Sequence, residues 1–131
     1  MAKNVLIIST SLRNNSNSEA LADAFLEGAK LAGNNVEKIS LRGKKLAFCL
    51  GCLACQKLKK CVIDDDANLI AQKMLKADCI VFATPIYYYE MSGQMKTLLD
   101  RVNCLYSSDY AFRDIYMLTA AAEDEDYVPQ G

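Results

Sequence analysis

Apolar residues along this chain follow two kinds of pattern. The runs "NVLIIST" from Asn4, "CIVFATPIYYY" from Cys79 and "DIYMLTAA" from Asp114 are nearly continuous and rich in β-branched residues. Such runs form strands covered on both faces, as in parallel sheets. A fourth run, "NVEKISL" from Asn35, alternates apolar and polar residues and reads as a strand near a sheet edge. The stretches between have helical spacing. Leu21, Ala24, Phe25, Gly28, Ala29 and Ala32 share one predicted face, Ala67, Ile70, Ala71, Met74 and Leu75 a second, and Met95, Leu98, Leu99 and Val102 a third.

Punctuation supports these elements. Ser16 with Glu19 forms a capping-box pattern, Gly33 is placed to stop the first helix, and Pro85 is expected to end the third strand. Asp64, Asp65 and Asp66 precede the second helix, where the helix dipole favours acidic residues, so they read as a helix start rather than a metal site. Strands alternating with helices predict an α/β domain with a doubly wound parallel sheet, one domain over residues 1–131. In such sheets ligands bind beyond the carboxyl ends of the strands. The loops after Thr10, Thr84 and Thr119 therefore become the ones to inspect.

Composition narrows the chemistry. The formal net charge is −1, with lysine and arginine spread along the chain, so no basic face for nucleic acid or anionic lipid is implied. No apolar run approaches the roughly 20 residues needed to cross a bilayer, and no signal-peptide pattern opens the sequence. A cytoplasmic protein with neither nucleic-acid nor membrane partners is expected. Histidine is absent, which removes imidazole general bases, Ser-His and Cys-His nucleophiles and His-ligated zinc. Enzymatic chemistry would then fall to a cofactor.

The loop "STSLRNNSNSEALA" gathers hydroxyls, amides and a guanidinium ahead of a helix N-terminus. Free amides and the dipole there attract phosphate, and Ser11, Arg13, Ser16, Asn17 and Ser18 add further donors. A solvated polar turn with an N-cap is the plainer alternative. The loop lacks the glycines of a P-loop or dinucleotide fingerprint, so a monophosphate suits it better. At the end of the third strand, "ATPIYYYEMSGQMK" places Pro85, Ile86 and three tyrosines where backbone and rings can meet a planar heterocycle, although packing or an interface would also use them.

Four of six cysteines, Cys49, Cys52, Cys55 and Cys61, follow the spacing C-x2-C-x2-C-x5-C. That is close to the bacterial iron–sulfur run C-x2-C-x2-C-x3-C-P, with a longer last gap and Val62 for proline. An iron–sulfur cluster, no metal, and more distantly zinc all remain readings of this pattern, and reducing surroundings disfavour disulfides. Lys57, Lys59 and Lys60 would offset a cluster's negative charge. Cys79 and Cys104 read as packing residues.

Taken together, "ISTSLRNNSNSEALA", the cysteine run with "CVIDDD", and "ATPIYYYEMSGQMKTLLDR" resemble the flavodoxin-like NADPH-dependent FMN reductases, especially the branch of iron–sulfur flavoproteins. The resemblance implies parallel strand order 2-1-3-4, with FMN phosphate in the loop from Ser11 to Ser18. It implies the flavin ring against Pro85, Ile86, Tyr87 and Tyr88, and a third contact near Ala121. It also implies a [4Fe–4S] cluster on the four cysteines handing electrons to FMN, with NAD(P)H as reductant. The acceptor would be a quinone, free flavin, nitro compound or redox protein, and a flavodoxin-like electron carrier without hydride transfer is the rival reading. Asp100 and Arg101 match the family's helix signature and are read as structural. Family members usually continue through a fifth strand and last helix, so a chain truncated at its C-terminus is expected. An assembly, homodimer or homotetramer, would cover the incomplete sheet.

Overall fold

The computed structural model describes residues 2–13, 16–87, 90–102, 104–105, 112 and 114–120. Strand β1 (Asn4–Ser9) leads into helix α1 (Asn17–Leu31), and β2 (Asn35–Ser40) into the cysteine loop with its single turn α2 (Cys55–Leu58). Helix α3 (Asp66–Lys76) precedes β3 (Cys79–Tyr87), a two-residue β4 (Glu90–Met91), α4 (Gly93–Arg101) and β5 (Asp114–Ala120). The four parallel strands lie in the order β2-β1-β3-β5, which is the flavodoxin-like 2-1-3-4 order read from the sequence. The antiparallel β4, which folds back on Ile86 and Tyr87, was not anticipated.

Two apolar layers cover the sheet, because alternate residues of each buried strand point to opposite faces. Leu6, Ile8, Ile80 and Phe82 pack with Ile70 and Met74 of α3 and Met95 and Leu98 of α4. On the other face Val5, Ile7, Val81 and Ala83 meet Ala22, Phe25 and Leu26 of α1. The predicted face of α3 is confirmed, with Ala67, Ile70, Ala71 and Met74 buried. That of α1 is partly displaced: Ala22 is fully buried while Leu21 is 41% exposed, because the helix is apolar around more of its circumference than the sheet covers.

Pro85 does not end β3, contrary to expectation. Ala83 O accepts from Thr10 N, so backbone alternation puts the missing Pro85 N–H on the β1 side, beyond the last β1 partner of β3. There it leaves no ladder bond unmade, and β3 continues beside β5 with Pro85 opposite Ala120. Helix α1 stops at Leu31, and Gly33 takes the left-handed φ of +90° that turns the chain toward β2. Among the described residues, no helix is long and apolar enough to cross a membrane.

Candidate functional site

The loop after β1 and the turn after β3 meet at the carboxyl edge of the sheet. Thr10 is fully buried; its hydroxyl donates to Ala83 O at 3.2 Å and lies 3.1 Å from Ser92 Oγ. Thr84 Oγ1 donates to Ser92 Oγ at 3.2 Å and accepts from Ser92 N at 3.1 Å. Ser92 also caps α4, its Oγ accepting from Met95 N. Three buried hydroxyls thus tie the two loops together. Sequence reasoning used Thr10 and Thr84 only to mark strand ends and passed over Ser92; the signal was a hydroxyl at the end of each buried run and a Ser one residue before a helix.

Ser11, Ser16 and Ser18 are all buried, whereas Arg13 and Asn17 are exposed. Ser16 caps the fifteen-residue α1, its Oγ accepting from Glu19 N at 3.1 Å. Only that half of the capping box is seen, because Glu19 instead carries Lys38 and Arg42 on its carboxylate. Arg13 is held by its backbone, donating N–H to Ser11 Oγ and accepting from Arg42 Nη1 at 3.1 Å. Asp23 chiefly, and Glu19 more weakly, raise the Lys38 pKa against the opposing effect of its burial.

Ser9 Oγ is buried with no hydrogen-bond partner among the described residues. Alternation from Val5 and Ile7 puts it on the α1 face of the sheet. An orphaned hydroxyl costs free energy unless a ligand or water completes it. Ser11, Ser16, Ser18 and the first-turn amides of α1 are groups of the kind that can hold a phosphate, with the Glu19 carboxylate of that turn neutralised by Lys38 and Arg42. Pro85 and Ile86 lie half-buried at the tip of β3, and the Tyr87 backbone pairs with Glu90. Tyr88 and Ala121 lie outside the described residues, as does the Tyr87 side chain.

The second candidate region is the cysteine loop. Cys49, Cys52, Cys55 and Cys61 all line one cavity of about 30 Å³, shared with Gly51, Asp100 and Arg101. None of the six cysteines forms a disulfide. As a donor set, four thiols lining one small cavity suit an iron–sulfur group or another soft metal in ligand type. Among the described residues no three ligand side chains are gathered closely enough to hold a metal ion as they stand. Gly51, Leu53 and Lys59 have φ of 71°, 61° and 61°, and for the two non-glycines this left-handed backbone costs roughly 1–2 kcal/mol each.

What anchors this loop is its stem. Asp65 caps α3 through Ala67 N, accepts from Ala47 N at 2.8 Å and forms a two-pronged ion pair with Arg101, at 2.6 and 2.8 Å. Asp66 accepts from Lys45 N at 2.6 Å. Asn68 grips Cys61 on both sides, accepting from its N–H at 2.9 Å and donating to its carbonyl at 3.0 Å. Burial alone would push the Asp65 carboxyl up, but Arg101 and the amides of Ala47 and Ala67 outweigh it and hold it below the usual carboxylate range. The aspartate run is a helix start, as expected, and a loop clasp as well.

The cation against the thiols is Arg101, while Lys57, Lys59 and Lys60 stand exposed. Its burial was legible as the third member of the inward stripe Met95, Leu98, Arg101. Asp100 faces solvent and pairs with Lys96 one turn earlier. Cys104 is buried; burial first, then Cys55, pushes its thiol pKa up.

A doubly wound parallel sheet of order 2-1-3-4, with buried hydroxyls gathered at its carboxyl edge, defines a domain of the flavodoxin-like type. Residues 3–124 match the sequence profile of the NADPH-dependent FMN reductases, and the chain belongs to that family. Its curated relatives include an iron–sulfur flavoprotein of Methanosarcina thermophila, 36% identical over 82% of this chain and 56% of the relative. Another, from Methanocaldococcus jannaschii, is 39% identical over 74% of this chain and 50% of the relative. The chain spans about half the length of these relatives. In fold it is similar to the NAD(P)H:quinone oxidoreductase of Methanothermobacter marburgensis, with a TM-score of 0.78 at 18% identity over 96% of this chain and 70% of that one. A Bacillus anthracis azoreductase gives 0.73 at 18% identity, over 95% and 71%.

Proposed function

We propose that this chain is the FMN-binding part of an NAD(P)H-dependent oxidoreductase. The observation that carries the reading is the buried hydroxyl set at the head of α1, Ser9, Ser11, Ser16 and Ser18, with Ser9 Oγ lacking a partner. These hydroxyls, the first-turn amides and the Arg13 side chain would hold the phosphate. Pro85, Ile86, Tyr87 and Tyr88 would orient the ring and exclude water from it, with a further contact from Ala121. Bound there, FMN supplies hydride acceptance from NAD(P)H and electron delivery to a small acceptor such as a quinone, flavin or nitro compound. No side-chain acid or base is required, in keeping with a chain that has no histidine.

For the cysteine loop the reading is an iron–sulfur site held by Cys49, Cys52, Cys55 and Cys61, supported by their shared cavity and by the name of the curated relatives. Such a group supplies one-electron exchange with the flavin. Protein purified without oxygen is expected to show flavin bands that bleach on NADPH addition, with iron and sulfide in equal amounts. Flavin bands indifferent to both NADPH and NADH would overturn the hydride-transfer reading, and protein devoid of iron would overturn the cluster.

A further inference from the structure

Arg101 is 2% exposed, and all five of its N–H groups are engaged. Nη1 donates to Ala47 O at 2.8 Å and Asp65 Oδ2 at 2.6 Å, and Nη2 to Ile63 O at 3.1 Å and Asp65 Oδ1 at 2.8 Å. Ala47 lies just before the cysteine loop and Ile63 just after it. Four donors therefore close the stem, from a helix on the far side of the loop. The fifth, Nε–H, donates to Cys61 Sγ at 3.3 Å. A lysine has a compact charge without the planar fork and cannot make this set of contacts.

Apolar burial does little to order the loop. Phe48, Leu50, Leu53, Leu58 and Val62 are all more than half exposed. Position and electrostatics at Cys61 then come from polar contacts, and Arg101 supplies the one that reaches the sulfur. Outer hydrogen bonds of this kind orient ligands and tune the group they hold.

We propose that Arg101 is the positioning residue of the thiol site: its fork shuts the loop, and its Nε–H fixes Cys61 Sγ facing the cavity and favours the reduced state of an iron–sulfur group bound there. The inference rests on the thiol-site reading above. Asp65 sets the counter-charge, so the two partners have opposite effects. Arg101→Lys removes the N–H···S bond and makes reduction harder. Asp65→Asn keeps a cap acceptor but leaves the guanidinium charge unbalanced, and makes reduction easier.

The test uses the full-length chain reconstituted anaerobically with ferrous iron and sulfide. Iron and sulfide content is measured first, then the midpoint potential by EPR-monitored titration. Amide exchange in the metal-free chain is followed alongside. About a tenfold change in the one-electron reduction equilibrium, about 59 mV, is expected in opposite directions for the two variants. Both should speed exchange at residues 47 and 61 while leaving β1 and β3 unchanged. Potentials that stay at the wild-type value, or move the same way in both variants, would overturn the proposal, since a merely structural ion pair moves them together. A wild-type chain that takes up no iron overturns the thiol-site reading and the tuning with it; unchanged exchange at residues 47 and 61 overturns the clamp independently. If Arg101→Lys fails to fold, Asp65→Asn alone still decides, because its potential must rise.

Discussion

At the carboxyl edge of the sheet, Thr10, Thr84 and Ser92 are fully buried and bonded to one another, and the strands below them are the core itself. In the cysteine loop, Phe48 and Leu50 are 79% and 77% exposed, and order comes from Asp65, Asn68 and Arg101 at the stem. The first region is therefore preorganised by the same burial that folds the domain, while the second depends on a few polar contacts made across the chain. Damage to the sheet edge would remove single hydrogen bonds from an otherwise intact core. Damage to the stem would leave a buried charge without its partner.

The largest effect is expected where that ion pair is broken. Asp65→Ala leaves Arg101 charged and unpaired in the interior and removes the α3 cap, for a loss of about 3–5 kcal/mol in urea denaturation. A loss under about 1 kcal/mol would show that the stem does not bear on global stability. Acid titration probes the same group without mutation. The folded Asp65 pKa is depressed, so its contribution is complete above the unfolded value of about 3.9 and is lost as pH falls through the folded value. Wild-type stability should lose nothing from this group between pH 7 and 5 and fall below about pH 4; Asp65→Asn should remove that part of the fall.

Ser92→Ala probes the other region, deleting a helix cap and one hydrogen bond each to Thr10 and Thr84, which keep their bonds to Ala83 O and Pro85 O, for about 1–2 kcal/mol by the same urea measurement. It should weaken FMN binding too, because it unties the two loops. Thiol labelling sharpens the contrast: alkylation read by mass spectrometry should modify exposed Cys49 and Cys52 well before Cys79 and Cys104, whose thiols burial shields and pushes up in pKa. Early labelling of Cys79 would mean that the sheet is less closed than described. The smallest change is expected for Lys38→Met, whose partner Asp23 is exposed and whose other partner Glu19 keeps Arg42, at no more than about 1 kcal/mol.

Most of the architecture was legible because burial writes a period into the sequence. The runs at Asn4 and Cys79 are apolar throughout, and the alternating run at Asn35 is an edge strand, as its pattern said. The two-residue β4 was not legible, since a hairpin that short has no period, and neither was the passage of β3 through Pro85, which depends on where β1 stops. In the loop between β1 and α1 the serines were readable as a cluster, but not the division into buried Ser11, Ser16 and Ser18 and exposed Arg13 and Asn17. Arg101 was read as structural from its place in the family's helix signature, and its partners, Ala47, Cys61, Ile63 and Asp65, were not legible because they lie far off along the chain.

The central claim is that an anionic phosphate docks at the head of α1, and comparing FMN with riboflavin tests it most directly. The two share a ring and differ in the phosphate, so titration of the metal-free, flavin-free chain, followed by quenching of flavin fluorescence, isolates the cradle. FMN is expected to bind at least about tenfold more tightly than riboflavin, about 1.4 kcal/mol, with most of that difference lost in Ser16→Ala/Ser18→Ala. Equal affinity for the two flavins, or no binding of either, would contradict it.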